Sequence, residues 1–159
     1  MNKNIIDYLI KLSNYDLSFK DEEQVGRYHH VVGHILRVSE LAENIARYTT
    51  QAIENSLVFS EEVKEELMQM LGKIKALYES AAKVFSNKKD VKLQDVERLE
   101  DEVDAFRKKL MDDHITRLNE GKCRAENSGI FINLIGNLER ASDHLNYIAH
   151  AGKKQGRGG

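Results

Sequence analysis

SEEVKEELMQMLGKIKALYESAAKV, running from Ser60 to Val84, decides the fold class. Ser60 is a favoured helix N-cap, and Glu61 and Glu62 follow it in the first turn, where carboxylates suit the positive end of the helix macrodipole. Behind them Val63, Leu67, Met70, Ile74, Leu77, Ala81 and Val84 recur at alternating spacings of four and three. That heptad pattern belongs to a helix lying along partners with a slight left-handed supercoil. A polar stretch, Ser86 to Asp90, ends it. Val96, Leu99, Val103, Phe106 and Leu110 repeat the spacing in a second helix that stops around Asn119 to Gly121, with the glycine as a C-terminal cap. Leu134, Leu138, Ala141, Leu145 and Ile148 do the same in a third helix from near Ala125 to Ala151. Three long helices with short connections predict an all-α fold, an antiparallel three-helix bundle over residues 59–151. Gly152 to Gly159 holds four glycines and three basic residues with nothing to bury, which predicts a disordered tail.

The composition agrees. The 159 residues contain no proline or tryptophan, and 31% are charged, the make-up of long soluble helices rather than of a sandwich or barrel. One cysteine, Cys123, forms no internal disulfide, and the N-terminus lacks the basic-then-apolar order of a signal peptide, so a cytoplasmic setting is expected. Apolar runs are too short to span a bilayer. Basic residues number 24 against 26 acidic ones and alternate with them along the helices, which argues against a nucleic-acid ligand.

The region before Ser60 reads as an incomplete copy of the same plan. Tyr28, Val31, Ile35, Val38, Ala42 and Ile45 repeat the spacing of Phe131, Leu134, Leu138, Ala141, Leu145 and Ile148. Any two amphipathic helices can be slid into such agreement, so the evidence lies off the stripe. Gly33, Arg37 and Ser39 match Gly136, Arg140 and Ser142, and Glu40 matches Asp143. Upstream, DYLIKL at Asp7 to Leu12 answers DHITRL at Asp113 to Leu118. An internal repeat follows. Residues 1–58 would then keep only the end of a second helix, Ile5 to Leu12, and a third helix, roughly Glu22 to Glu54. Such a chain opens inside a unit, either as the C-terminal piece of something longer or as a degenerate version that tolerates the gap.

LERASDH, Leu138 to His144, places Glu139 and Asp143 four residues apart on one helix face. The apolar stripe puts Glu139 on its flank and Asp143 nearly opposite, both reaching solvent. Hard oxygen ligands suit magnesium, calcium, manganese or ferric iron. Such a pair is either a cation site or a solvated helix face, and spacing alone favours the solvated face. His114 falls on the apolar side of its helix and reads as a satisfied, partly buried residue. His144 has no second histidine at four residues and no Glu-x-x-His pair, which argues against a ferritin-like di-iron centre. His29 and His30 read as exposed. Cys123 lies in a polar turn without a Cys or His partner at ligand spacing. No phosphate loop, nucleophile elbow or triad-like cluster points to catalysis, so an enzyme is not expected.

ERASDH at Glu139 to His144, with HITRLNEGKC at His114 to Cys123 and FINLIGNL at Phe131 to Leu138, resembles the PhoU family. The likeness is closest to the PhoU-like C-terminal cytosolic domains of bacterial sodium/phosphate cotransporters. It is densest from about Leu110 to Ala149. In that family an acid, then Arg or Lys, then an Asp four positions after the first acid recurs once per three-helix repeat, and the acids can hold metal clusters. The second copy keeps Glu139, Arg140 and Asp143, while the first has Leu36 in place of the leading acid and keeps Arg37 and Glu40. Ala141, Ser142 and Tyr147 depart from the usual Ile, Gly and Asn. The resemblance therefore implies at most one metal site, at Glu139 and Asp143, for a divalent or ferric ion such as Mg, Mn or Fe that folding does not require. It also implies a non-enzymatic regulator of phosphate uptake at the cytoplasmic face of the membrane. Its partner would be a transporter membrane domain or a phosphate-signalling protein, with a homo-oligomer allowed. The alternatives are a purely structural helical adaptor and, behind it, a metal-dependent enzyme.

Overall fold

The computed structural model describes Asn2 to Ser86, Lys88 and Asp90 to Lys153. Among these residues there are five helices and no strand: α1 (Asn2–Leu12), α2 (Phe19–Glu54), α3 (Glu61–Phe85), α4 (Leu93–Asn119) and α5 (Ala125–Lys153). Side-chain caps set the starts. The Ser60 hydroxyl accepts from the Val63 amide at 3.3 Å, as the sequence predicts. Ser18 accepts from the Asp21 amide in the same way and starts α2 three residues before the expected Glu22. Gly121 takes a left-handed φ of +67° just past α4, where a side chain would be strained.

Residues 61–153 form an up-down-up bundle. Contacts between Arg117 and Glu66 and between Lys73 and Glu102 run α4 antiparallel to α3. Those between Arg107 and Glu139 and between His150 and Glu97 run α5 antiparallel to α4. The core has two stacked layers. Val63, Met70, Val103, Leu110, Phe131, Ile135 and Leu138 form one, Leu77, Ala81, Val84, Val96, Leu145 and Ala149 the other, and Ile74 packs against both. Each large aliphatic buried here contributes about 1.5–3 kcal/mol, which makes this seam the main source of stability. A bidentate ion pair closes one end: Arg117 donates to both Glu66 carboxylate oxygens at 2.8 and 2.9 Å, with both side chains buried.

The outer helix, α2, packs antiparallel on α5, with His34 beside His144 and Asn44 beside Asn137. Among the described residues it touches only α5 and α1, and α1 touches only α2. That restricts how much of its stripe is covered. Val31 is buried, whereas Ile35 is 48% exposed and Ala42 faces outward. Two expectations are corrected here. The single stripe assigned to α5 is too narrow, because α2 lies against it on one side and α3 and α4 on the other; Asn137 and Ser142 are buried as well as Leu138 and Ala141. In addition, α5 continues to Lys153, two residues into the expected tail, and Gly152 is buried so tightly that a Cβ would lie 2.5 Å from the Phe85 Cα. The rest of that expected disordered stretch, residues 154–159, lies outside the described residues.

Candidate functional site

Full burial of Val96, Val103 and Leu110 fixes the rotation of α4 and leaves Glu100 and Asp104, four residues apart, on its flank. There they meet Asp143 of α5. One carboxylate oxygen from each of the three lies within 4.8 Å of the others, with Glu100 and Asp143 half-buried and Asp104 exposed. Among the described residues this is the one such grouping of acids, histidines or cysteines.

The electrostatics are those of an undercompensated cluster. Burial raises the Glu100 carboxyl above its ordinary range, with further upward pushes from Asp104 and Asp143. Burial likewise raises Asp143, followed by Asp104, while His144, the hydrogen-bonding Glu100 side chain and Arg140 pull it down less strongly. Glu100 and Asp143 thus both hold a proton more readily than free carboxyls do. A hard multivalent cation relieves such a set by replacing the proton with charge, and three oxygen donors from two helices suit one.

The two residues singled out by sequence part company. Asp143 sits in the cluster, whereas Glu139, one turn earlier, turns its Oε2 to the Arg107 guanidinium at 3.9 Å. Glu139 still feels the cluster: its carboxyl is raised by burial first, then by Asp143, with Arg107 opposing and Asp104 adding. Neither acid is freely solvated as expected; both are half-buried against α4. Nothing local in the sequence sets Glu100 and Asp104 apart from other surface acids, although their spacing of four repeats that of Glu139 and Asp143. In α2 the counterpart positions hold no comparable group. Leu36 is 37% exposed, and Glu40 accepts from Arg37 at 2.7 Å on the open surface.

Histidines fall into two settings. His114 is buried, as expected, with Nε2 3.0 Å from the Ser128 hydroxyl and its ring tilted on Phe131. Cys123, which lacks a partner at ligand spacing in the sequence, has its sulfur 4.0 Å from His114 Nδ1. His144 faces His34 across the α2–α5 seam, and burial, then His144, then His30 lower the proton affinity of His34.

The profile of the PhoU domain matches residues 67–151, which take in most of α3, all of α4 and nearly all of α5. The phosphate-specific transport system accessory protein PhoU homolog 1 of Thermotoga maritima is 28% identical over 154 residues, covering 89% of this chain and 66% of the relative. The chain thus spans just under two thirds of that protein's length. No solved structure matches the chain.

Proposed function

Because this chain belongs to the PhoU domain family, we propose that it is a non-enzymatic accessory module in the control of phosphate transport, working through helix-face contacts that a bound cation stiffens. The observation that carries this reading is the meeting of Glu100, Asp104 and Asp143 across α4 and α5. Those three residues would hold the ion, with Glu139 and Arg107 as the adjoining pair that tunes local charge. A divalent or ferric ion supplies positive charge there, and the chain's own part is to keep its acids apart from their counter-charges until the ion arrives. Neutralised, the cluster ties α4 to α5 and presents the outer faces of the bundle in one fixed arrangement.

The finer reading is that the module serves a sodium/phosphate cotransporter-related protein at the cytoplasmic face, against its membrane domain or a phosphate-signalling partner. The LERASDH segment supports it. No described helix is long and apolar enough to cross a membrane, so contact with a transporter would run through surfaces of this bundle or through segments beyond it.

Two measurements test the proposal. Metal content after purification without chelator, followed by titration of Mn2+ into the wild type and a Glu100→Gln/Asp104→Asn/Asp143→Asn variant, is expected to show one ion bound by the wild type and at least a tenfold loss in the variant. Phosphate uptake in cells lacking the protein should lose its normal control, regain it with the wild type and regain it only in part with the variant. Unaltered uptake control in the deletion strain overturns the regulatory reading, and metal binding unaltered in the variant moves the ion elsewhere.

A further inference from the structure

His34 of α2 and His144 of α5 bring their Nδ1 atoms to 3.0 Å across the helix seam. Two imidazoles so placed do one of two things: one ring donates its N–H to the other, or both lone pairs point at a shared cation. The surroundings favour a built recess over incidental packing. Tyr147 stacks on His34 with ring centroids 5.0 Å apart and planes within 20°. His29, His30, Gly33, His34, Arg37 and His144 line an open groove of about 390 Å³. His30 precedes His34 by one helical turn and so lies on the same face of α2. The buried anchoring of α2 comes from Val31, Val32, Leu41 and Ala52, so its hold on α5 does not call for a row of imidazoles.

We propose that this groove is a second cation site, chemically distinct from the acids, in which His34 and His144 supply two nitrogen ligands to zinc or a neighbouring divalent transition metal; the His30 ring, one turn away, stands outside their ligand distance. The bite is close to what such an ion needs. Nitrogens about 2.0–2.1 Å from a tetrahedral ion stand about 3.3–3.4 Å apart, so the two Nδ1 atoms have to part by only a few tenths of an ångström. Imidazole nitrogen selects zinc, copper or nickel, while the carboxylates on the α4 side suit magnesium, calcium or manganese. The one cationic side chain on the groove, Arg37, is engaged by Glu40 at 2.7 Å. The open side of the groove leaves the remaining coordination positions to water. An ion here bridges α2 and α5, whereas an ion at the acids bridges α4 and α5, so the two act on different seams of one helix.

Zinc chloride titrated into the full chain carrying Glu100→Gln/Asp104→Asn/Asp143→Asn separates this site from the acid cluster. Retention of one zinc equivalent is expected in that background, with at least a tenfold loss of affinity when His34→Gln and His144→Gln are added, and affinity within twofold of that background when His30→Gln is added instead. In the unaltered protein, zinc should shift the imaginable reporters directly: the imidazole 15N resonances of His34 and His144 move, and those of buried His114 do not. That second readout stands even if the histidine variants fail to fold. Zinc affinity unchanged by the double histidine substitution in a folded protein, or His34 and His144 resonances unmoved by saturating zinc, overturns the proposal. Loss of all zinc binding in the acid variant overturns it too, and assigns the zinc bound by the wild type to the acids.

Discussion

Helices α2 and α5 carry the same apolar spacing and lie against one another, yet they live in different surroundings. Ile35 and Leu138 hold equivalent positions, and the first is 48% exposed where the second is 5%. The difference is the number of neighbours: α5 has three, α2 has α5 and the short α1. Periodicity declares a face, but enclosure decides whether charges on the edge of that face are pressed together. Glu139 and Asp143 are crowded by α4, and their carboxyls are raised; Glu40, in the matching place on α2, lies open beside Arg37.

The comparison is broken most directly by placing the same charge at both equivalent positions. Leu138→Asp puts an unpaired carboxylate in the core and should cost about 4 kcal/mol or more, while Ile35→Asp should stay within about 1 kcal/mol. Equal losses in thermal melts would mean that α2 is as enclosed as α5. Glycines give a second contrast. Gly152→Ala drives a methyl into the Phe85 backbone and should lose about 1–3 kcal/mol. Gly26→Ala, with nothing within 4 Å of its Cβ, should gain about 0.5–1 kcal/mol from helix propensity alone. Urea midpoints of the two variants should therefore move in opposite directions.

A subtler probe concerns the acids. Glu100, Glu139 and Asp143 all have carboxyls raised in the folded protein, so the native state binds protons more tightly than the unfolded chain does. Their ionised forms cost stability above the raised values, and that cost fades as pH falls through them. Asp104 adds to all three, so Asp104→Asn should stabilise the protein by a few tenths of a kcal/mol at neutral pH in chelator, and the gain should shrink on acidification. A melt series over pH reads this, and a gain that grew toward acid would contradict it. The smallest effect is expected on α2. Leu36→Glu places an acid four residues before Glu40, the spacing of Glu139 and Asp143, but among the described residues no long helix lies on the outer side of α2 to bring further carboxylates across. Metal stoichiometry should stay at the wild-type value, and an additional bound ion would show that an acid pair on α2 needs no second helix to hold a cation.

Much of the fold was legible because its signals are local. Ser60 and its two glutamates start α3, Gly121 marks the end of α4, and the four-three spacing of Val63 to Val84 needs no partner to be recognised. What resisted was registration between helices. Glu100 and Asp104 carry no mark in sequence that they meet Asp143, since that depends on how α4 slides and rotates against α5. The doubled burial of α5 was hidden for the same reason: Asn137 and Ser142 look like solvent positions until α2 and the bundle close around them. His34 carries no mark of its own either: it stands four residues after His30, and only the packing of α2 on α5 brings it to His144.

The attachment of α2 through α5 alone sets an order to how this molecule comes apart. Backbone amides in α1 and α2 should exchange with solvent through openings that leave the lower bundle closed, whereas those of α5 around Ile135 and Leu138 wait for global unfolding. Helices α1 and α2 thus form a detachable tier on a cooperative base, and any ligand seated between His34 and His144 would slow exchange in α2 long before it altered protection in α3 or α4.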